Sequence, residues 1–312
     1  MSPYRVEPRP LVAGGYLQDD PGNRAEMRAI SSPRVRRFTF GLSAATIVLW
    51  CGAVSAQDAG GGAPDTQATA AELARKLSNP VASLISFPVQ MNFDYGQGSD
   101  GSGFKFVTNV QPVVPITLNQ DWNVISRTIL PLVYQSHVIG DSRQGGLGDI
   151  LQSLFFSPKE PTSGGIIWGV GPALLFPSAT DGALGTGKWA AGPTFVVLTQ
   201  KSGWTVGMLA NQLWSYAGDS DRASVNALFV QPFVAKTTKT LTTFSLNTET
   251  TYNWNVEKDP WSVPLNFTVA QLMRFGNQPV QLTGGLRYWA ASPPTGPSGW
   301  GFRFVVTLLF PK

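Results

Sequence analysis

The sequence predicts an all-β fold, a transmembrane antiparallel up-and-down β-barrel of about twelve strands with a short N-terminal helical segment. Three observations carry this expectation. Twelve stretches alternate apolar and polar residues with period two, most run about 10 to 15 residues, and large aromatics sit near both of their ends. Strands of soluble sheets usually have about five or six residues, whereas a tilted membrane strand needs about 9 to 11. A soluble sandwich would explain the alternation but not the paired aromatic ends.

The chain opens with a segment that reads as a leader. Arg34, Arg36 and Arg37 precede an apolar stretch from Phe38 to Val54, and Val54-Ser55-Ala56 supplies small residues for cleavage after Ala56. Residues 1–56 are therefore assigned to a leader, with Met27 as an alternative start. Cys51, the single cysteine, lies inside it, and the bulky Trp50 before it argues against lipid attachment. Cleavage leaves a chain with no cysteine, which excludes disulfides and thiolate metal sites. Residues 1–56 also hold seven of the 23 basic and four of the 19 acidic residues, leaving 16 against 15 in the remainder. That near-balance argues against a nucleic-acid surface.

Residues 57–82 form an N-terminal periplasmic segment, polar and rich in small residues, with a helix-like piece from Thr69 to Leu77. It reads as a linker or a small plug. Residues 83–312 form the barrel. The first strand, Ser83 to Tyr95, sets Ile85, Phe87, Val89, Met91, Phe93 and Tyr95 against Ser86, Gln90, Asn92 and Asp94. The second covers Phe104 to Leu118 and the third Trp122 to Tyr134. The fourth, Asp149 to Ser157, has large apolar groups on both faces, so its orientation stays open. The fifth and sixth carry Trp168, Phe176, Trp189 and Phe195. The last six run Trp204 to Tyr216, Val225 to Ala235, Thr242 to Trp254, Val263 to Phe275, Val280 to Ala290 and Trp300 to Phe310.

Connections after even-numbered strands are mostly short (Asn119-Gln120, Gln200 to Gly203, Gly276 to Pro279), and those after odd-numbered strands are longer (Ser136 to Gly148, Ser178 to Gly187). Outer-membrane barrels show this parity, with short turns on the periplasmic side. The expected location is thus the bacterial outer membrane.

The stretch "GVGPALLFPSATDGALGTGKWAAGPTFVVL" (Gly169 to Leu198), with "GLGDI" before it, "NQLWSYAGD" after it and "NPVASLISFP" at Asn79 to Pro88, resembles a known family. It is similar to the outer-membrane transporters grouped with the phenol-degradation meta-pathway proteins, some of which are labelled neuromedin U. The resemblance spans nearly the whole mature chain. It implies an outer-membrane barrel that passes small organic or aromatic compounds, and it brings no catalytic residues.

If the apolar face meets lipid, the other lines a lumen and must be hydrated or internally hydrogen-bonded. Its charged members, Asp94, Lys105, Arg127, Glu249, Arg274, Arg287 and Arg303, are the pore-lining and solute-binding candidates. Hairpin pairing puts Asp94 opposite Lys105 or its neighbour and Arg287 opposite Arg303, and closure brings the last strand beside the first. The expected result is a positive inner patch that favours anionic or carboxylated solutes, or a salt-bridge ladder that holds the seam. The loop Pro177 to Lys188 contains "GALGTGK" without a phosphate-loop spacing. Thr180, Asp181 and Lys188 are candidates for a constriction there. His137 is the sole histidine and has no carboxylate at a recognisable spacing, so no enzyme activity, cofactor or metal is expected.

The sequence thus points first to a channel for passive diffusion of small solutes. A non-conducting structural or binding barrel is the alternative, and an outer-membrane enzyme the third. Expected partners are outer-membrane lipid and lipopolysaccharide, the barrel-assembly machinery and a small-molecule solute, with oligomeric state open.

Overall fold

Each alternating stretch forms a strand because one of its faces can sit in hydrocarbon while every backbone group is satisfied by a neighbour, which only a closed barrel allows. The structure, a computed structural model, describes residues 64–311. The leader, its cleavage site and Cys51 lie outside the described residues. After helix α1 (Pro64–Leu77) come β1 (Ile85–Gln97), β2 (Gly103–Val110), β3 (Val113–Thr117), β4 (Trp122–Ser136), β5 (Arg143–Leu147), β6 (Ile150–Pro158) and β7 (Ile166–Phe176). They are followed by β8 (Lys188–Lys201), β9 (Trp204–Gly218), β10 (Asn226–Thr237), β11 (Thr242–Thr248), β12 (Thr250–Asn253), β13 (Trp261–Phe275), β14 (Gln278–Ala291) and β15 (Gly299–Phe310).

These fifteen segments make twelve staves, because three staves are broken. β2 and β3 part at Gln111-Pro112, β5 and β6 at Gly148-Asp149, and β11 and β12 at Glu249. The ladder is patched across the breaks: Gln111 N–H donates to the Pro88 carbonyl and Gly148 N–H to the Pro131 carbonyl, each at 2.8 Å. Every stave pairs antiparallel with its neighbours, and β15 returns to β1 from Ile85↔Phe310 to Phe93↔Phe302, closing the barrel. The short connections, such as 202–203 and 276–277, gather at one mouth and the long loops, such as 177–187, at the other. By the parity of such barrels the short-turn mouth is periplasmic.

Outward faces carry the large aromatics, stacked across strands near the long-loop mouth at Tyr95–Phe104 (5.1 Å between ring centroids) and Tyr288–Trp300 (5.0 Å). Trp122 and Trp168 meet edge to face at the opposite mouth, 5.7 Å apart. Two aromatic bands therefore flank an apolar belt, as expected at two interfaces.

Two assignments of sides are sharpened. In β6, Phe155 is fully buried inside the barrel while Phe156 is exposed on the outer face. Gln152, on that outer face, is satisfied by its neighbours, donating to Ser126 Oγ (3.0 Å) and accepting from Thr128 Oγ1 (2.6 Å). In β10, Asn226 shares a parity with the outward residues and accepts from Gln212 Nε2 at the rim. It faces outward, whereas Phe229 and Phe233 point inward and join an interior cluster.

That cluster places the N-terminal segment. Leu73 and Ala74 of α1, with Ala82 and Leu84 after it, pack on Leu272 of β13 and Leu309 of β15 at the short-turn mouth. Val81 packs toward the other side, with Ile125, Phe155, Val196, Leu198 and Leu209. Gln200 of β8 donates to the Arg75 carbonyl (2.9 Å), and Asn123 of β4 donates to Ser83 Oγ (2.8 Å). The helix and its connector are thus held from both sides of this mouth. Gly169 makes room for the connector: a Cβ there would lie 3.2 to 3.4 Å from Phe155, Val81 and Ser157.

Candidate functional site in the barrel interior

The inner wall divides into two parts of different chemistry. One part, on β11 to β15 and β1, is built from charges. Arg303 on β15 makes a two-point pair with Glu249, Nη1 to Oε1 at 2.8 Å and Nη2 to Oε2 at 2.7 Å, and its Nε donates to Asn92 Oδ1 at 2.8 Å. Arg287 on β14 reaches Glu249 Oε2 at 3.2 Å and lies over the Trp289 ring, 4.7 Å from its centroid. Its Nε stands 3.0 Å from Asp94 Oδ1 but off the N–H direction, so this contact is Coulombic and not a hydrogen bond. Asp94 instead accepts from Trp289 Nε1 at 2.8 Å. Asn266 links the cluster to β11 by donating to Asn247 Oδ1 at 3.0 Å.

Glu249 occupies the break between β11 and β12, so its side chain is carried inward there and spans toward β15. Gly301 provides the opening on the other side. It pairs with Arg287 in the ladder, and a Cβ there would sit 3.2 Å from Asp94 Oδ1 and 2.5 Å from the Phe93 carbonyl. Both arginines are buried, at 6% and 4% exposure, which their carboxylates make tolerable.

The register corrects one sequence expectation. Asp94 does face Lys105, but Arg287 pairs with Gly301 and Arg303 with Gly285, two residues from the arginine-to-arginine pairing inferred from loop length. The loop 292–298 is asymmetric: Gly299, with a positive φ of 69°, already pairs with Trp289, and Ser298 N–H reaches across to the Tyr95 carbonyl. The patch is also less positive than expected, because Glu249 joins Asp94 in neutralising the two arginines. Lys105 remains half-buried, facing Asp94 across the ladder.

The other part of the inner wall, on β4 and β6 to β10, is largely apolar, through Ile125, Ile129, Leu151, Phe155, Leu209, Leu213 and Phe229. The sequence listed the inward face as polar and missed this. Both faces of β6 and β10 carry large apolar groups, so alternation alone could not choose between them.

Between the two walls lies a mid-barrel chamber of about 300 Å³, bordered by Gln90, Asn109, Arg127, Glu249 and the apolar residues Ile129, Leu151 and Phe229. A second cavity of about 290 Å³ lies between it and the α1 connector at the short-turn mouth. Gln111, Arg127, Leu209 and Gln231 border both, so they stand where the two spaces meet. Arg127 Nη2 donates to Gln111 Oε1 at 2.8 Å.

The remaining candidates sit at the rims. Arg274 is exposed near the short-turn end of β13. Thr180 is tied to β5, its N–H donating to the Leu147 carbonyl and its Oγ1 accepting from Leu147 N, both at 3.0 Å. Asp181 Oδ1 accepts from Ala183 N at 2.8 Å, and Lys188 opens β8 opposite Gly218. Asp149, at the β5–β6 break, pins the same loop by accepting from Thr186 N at 2.6 Å and Thr186 Oγ1 at 2.7 Å. Neither interior cavity is bordered by Thr180, Asp181 or Lys188, and this loop is fastened to the wall at the rim. His137 lies at the start of an exterior loop with a positive φ of 56°. Among the described residues no group of histidine, cysteine and carboxylate side chains is arranged to hold a metal.

No family model matches the chain, and no curated protein matches its sequence. Among solved structures it is similar to an outer membrane channel from Pseudomonas putida F1, with 14% identity over 73% of this chain and 96% of that one and a TM-score of 0.57. Outer membrane phospholipase A from Escherichia coli matches at 9% identity, covering 77% and 98% of the two chains with a TM-score of 0.40. A porin matches at 10% identity, covering 72% and 99%, with a TM-score of 0.35. The staves, their closure and the first of these likenesses agree: the fold is that of a closed twelve-stranded outer-membrane β-barrel.

Proposed function

We propose that the chain is an outer-membrane channel for passive diffusion of small organic solutes, narrowed at its periplasmic mouth by its own N-terminal helix. The observation that carries this reading is the pair of adjoining interior cavities. They lead from the mid-barrel chamber to the helix connector, and amides and Arg127 border them as hydrated or solute-bearing space requires. A barrel of twelve staves can instead be filled by its side chains. The helix seated across the mouth favours the second reading, a non-conducting binding barrel. The family resemblance supports organic and aromatic solutes as cargo.

Planar-bilayer recording of the full processed chain separates the two. Wild-type protein is expected to give small unitary currents. Leu73→Asp combined with Ala74→Asp places carboxylates in the apolar seat of the helix and should raise conductance several-fold. Absence of current from both proteins, each shown to be folded by heat-modifiable migration, overturns the channel and leaves the binding barrel.

A further inference from the structure

Among the described residues the interior holds four cations besides those at the rims, and they are not equivalent. Arg287 and Arg303 are committed to Glu249 and Asp94. Lys105 faces Asp94 across the ladder and does not border the chamber. Arg127 borders the chamber, and among the described residues no carboxylate lies within salt-bridge distance of it. Its one side-chain partner there is the neutral Gln111. A guanidinium offers several N–H donors in a planar fork, so one amide oxygen leaves most of that fork unengaged by protein.

We propose that Arg127 is a carboxylate-binding residue and that the mid-barrel chamber takes small monocarboxylates with a compact apolar body. The carboxylate meets the arginine fork in the two-point geometry that guanidinium and carboxylate share. The apolar body rests on Ile129, Leu151, Leu213 and Phe229, which border the same chamber. A volume of about 300 Å³ stands at the lower end of the range for ligand pockets. Glu249 borders the same chamber but is already held by Arg287 and Arg303, so one guanidinium without a carboxylate partner is left there, the charge that a single carboxylate matches. This selects monocarboxylates over dicarboxylates and phosphates. Gln111 positions the fork by holding Nη2 from the side.

The site rests on the channel reading only for how the ligand reaches it, so binding and conduction are measured separately. Benzoate is titrated into the processed protein in detergent by calorimetry, with benzamide as the neutral isostere and acetate as the carboxylate without an apolar body. Benzoate should bind about tenfold or more tightly than either control. Arg127→Gln should remove that advantage while leaving benzamide unchanged, and Arg127→Lys, which keeps the charge but not the fork, should lie between. Phe229→Ala should weaken benzoate and leave acetate unaffected, which tests the apolar wall in a protein that keeps Arg127. Equal affinity for benzoate and benzamide, no benzoate binding at millimolar concentration, or benzoate affinity indifferent to Arg127→Gln overturns the site. Benzoate binding by a folded protein that carries no current sinks the channel and keeps the site; current without benzoate binding does the reverse.

Discussion

The charged wall on β11 to β15 and β1 and the apolar wall on β4 and β6 to β10 bury side chains by opposite means. On the first, both buried guanidiniums meet a carboxylate, and a glycine and a strand break clear the space for them to meet. On the second, Phe155 and Ile125 fill the interior together with a residue from outside the staves, Val81. The lesson is that an arginine inside this barrel is either salt-bridged by the protein, and then belongs to the wall, or left without a salt bridge where a cavity meets it, as at Arg127.

The comparison can be broken at each side. Glu249→Gln takes the shared carboxylate from two buried arginines, and removing one partner of such a pair costs about 3 to 5 kcal/mol. Urea unfolding of the refolded protein in detergent should show the largest loss for this variant, and adding Arg303→Met should recover part of it. On the apolar side, Phe155→Ala removes a fully buried ring, at a cost of about 3 kcal/mol by the same measurement. It should also loosen the Val81 connector, seen as faster protease cleavage between residues 77 and 84. The smallest effect sharpens the first wall. Gly301→Ala puts a Cβ into the opening beside Asp94 and the Phe93 carbonyl and should cost about 1 to 3 kcal/mol through backbone and side-chain shifts. Gly284→Ala, on the neighbouring strand opposite Phe304 and with only the Phe304 ring within 4 Å, is the control and should be nearly silent. Equal losses for the two glycines would mean that the opening is not what Gly301 supplies.

Much of this architecture was legible because a strand's side chains repeat every two residues and a barrel turns that repeat into inside and outside. Hairpin pairing brought Asp94 to Lys105 or its neighbour, and the ladder puts it opposite Lys105. The arginine pairing failed by two residues because loop length alone does not reveal where Gly299 starts the ladder. Glu249 could be named as an inward charge, but its bond to Arg303 spans three neighbouring staves and 54 residues of sequence. Local spacing carries no signal for that. The apolar inner wall was hidden for a different reason: where both faces of β6 and β10 are apolar, packing against Val81 and its neighbours decides the side, and that is tertiary information.

The cluster at Glu249 also bears on the order in which the molecule is made. Its members come from β1, from the β11–β12 break and from β13 to β15, so the set is complete only when the final stave docks on the first. An intermediate with that edge open would keep the Arg303–Glu249 pair but leave Arg303 without Asn92 and Arg287 without Asp94. Sealing the edge and completing the charge cluster are then one event, so buried polar contacts hold the seam together with its backbone ladder.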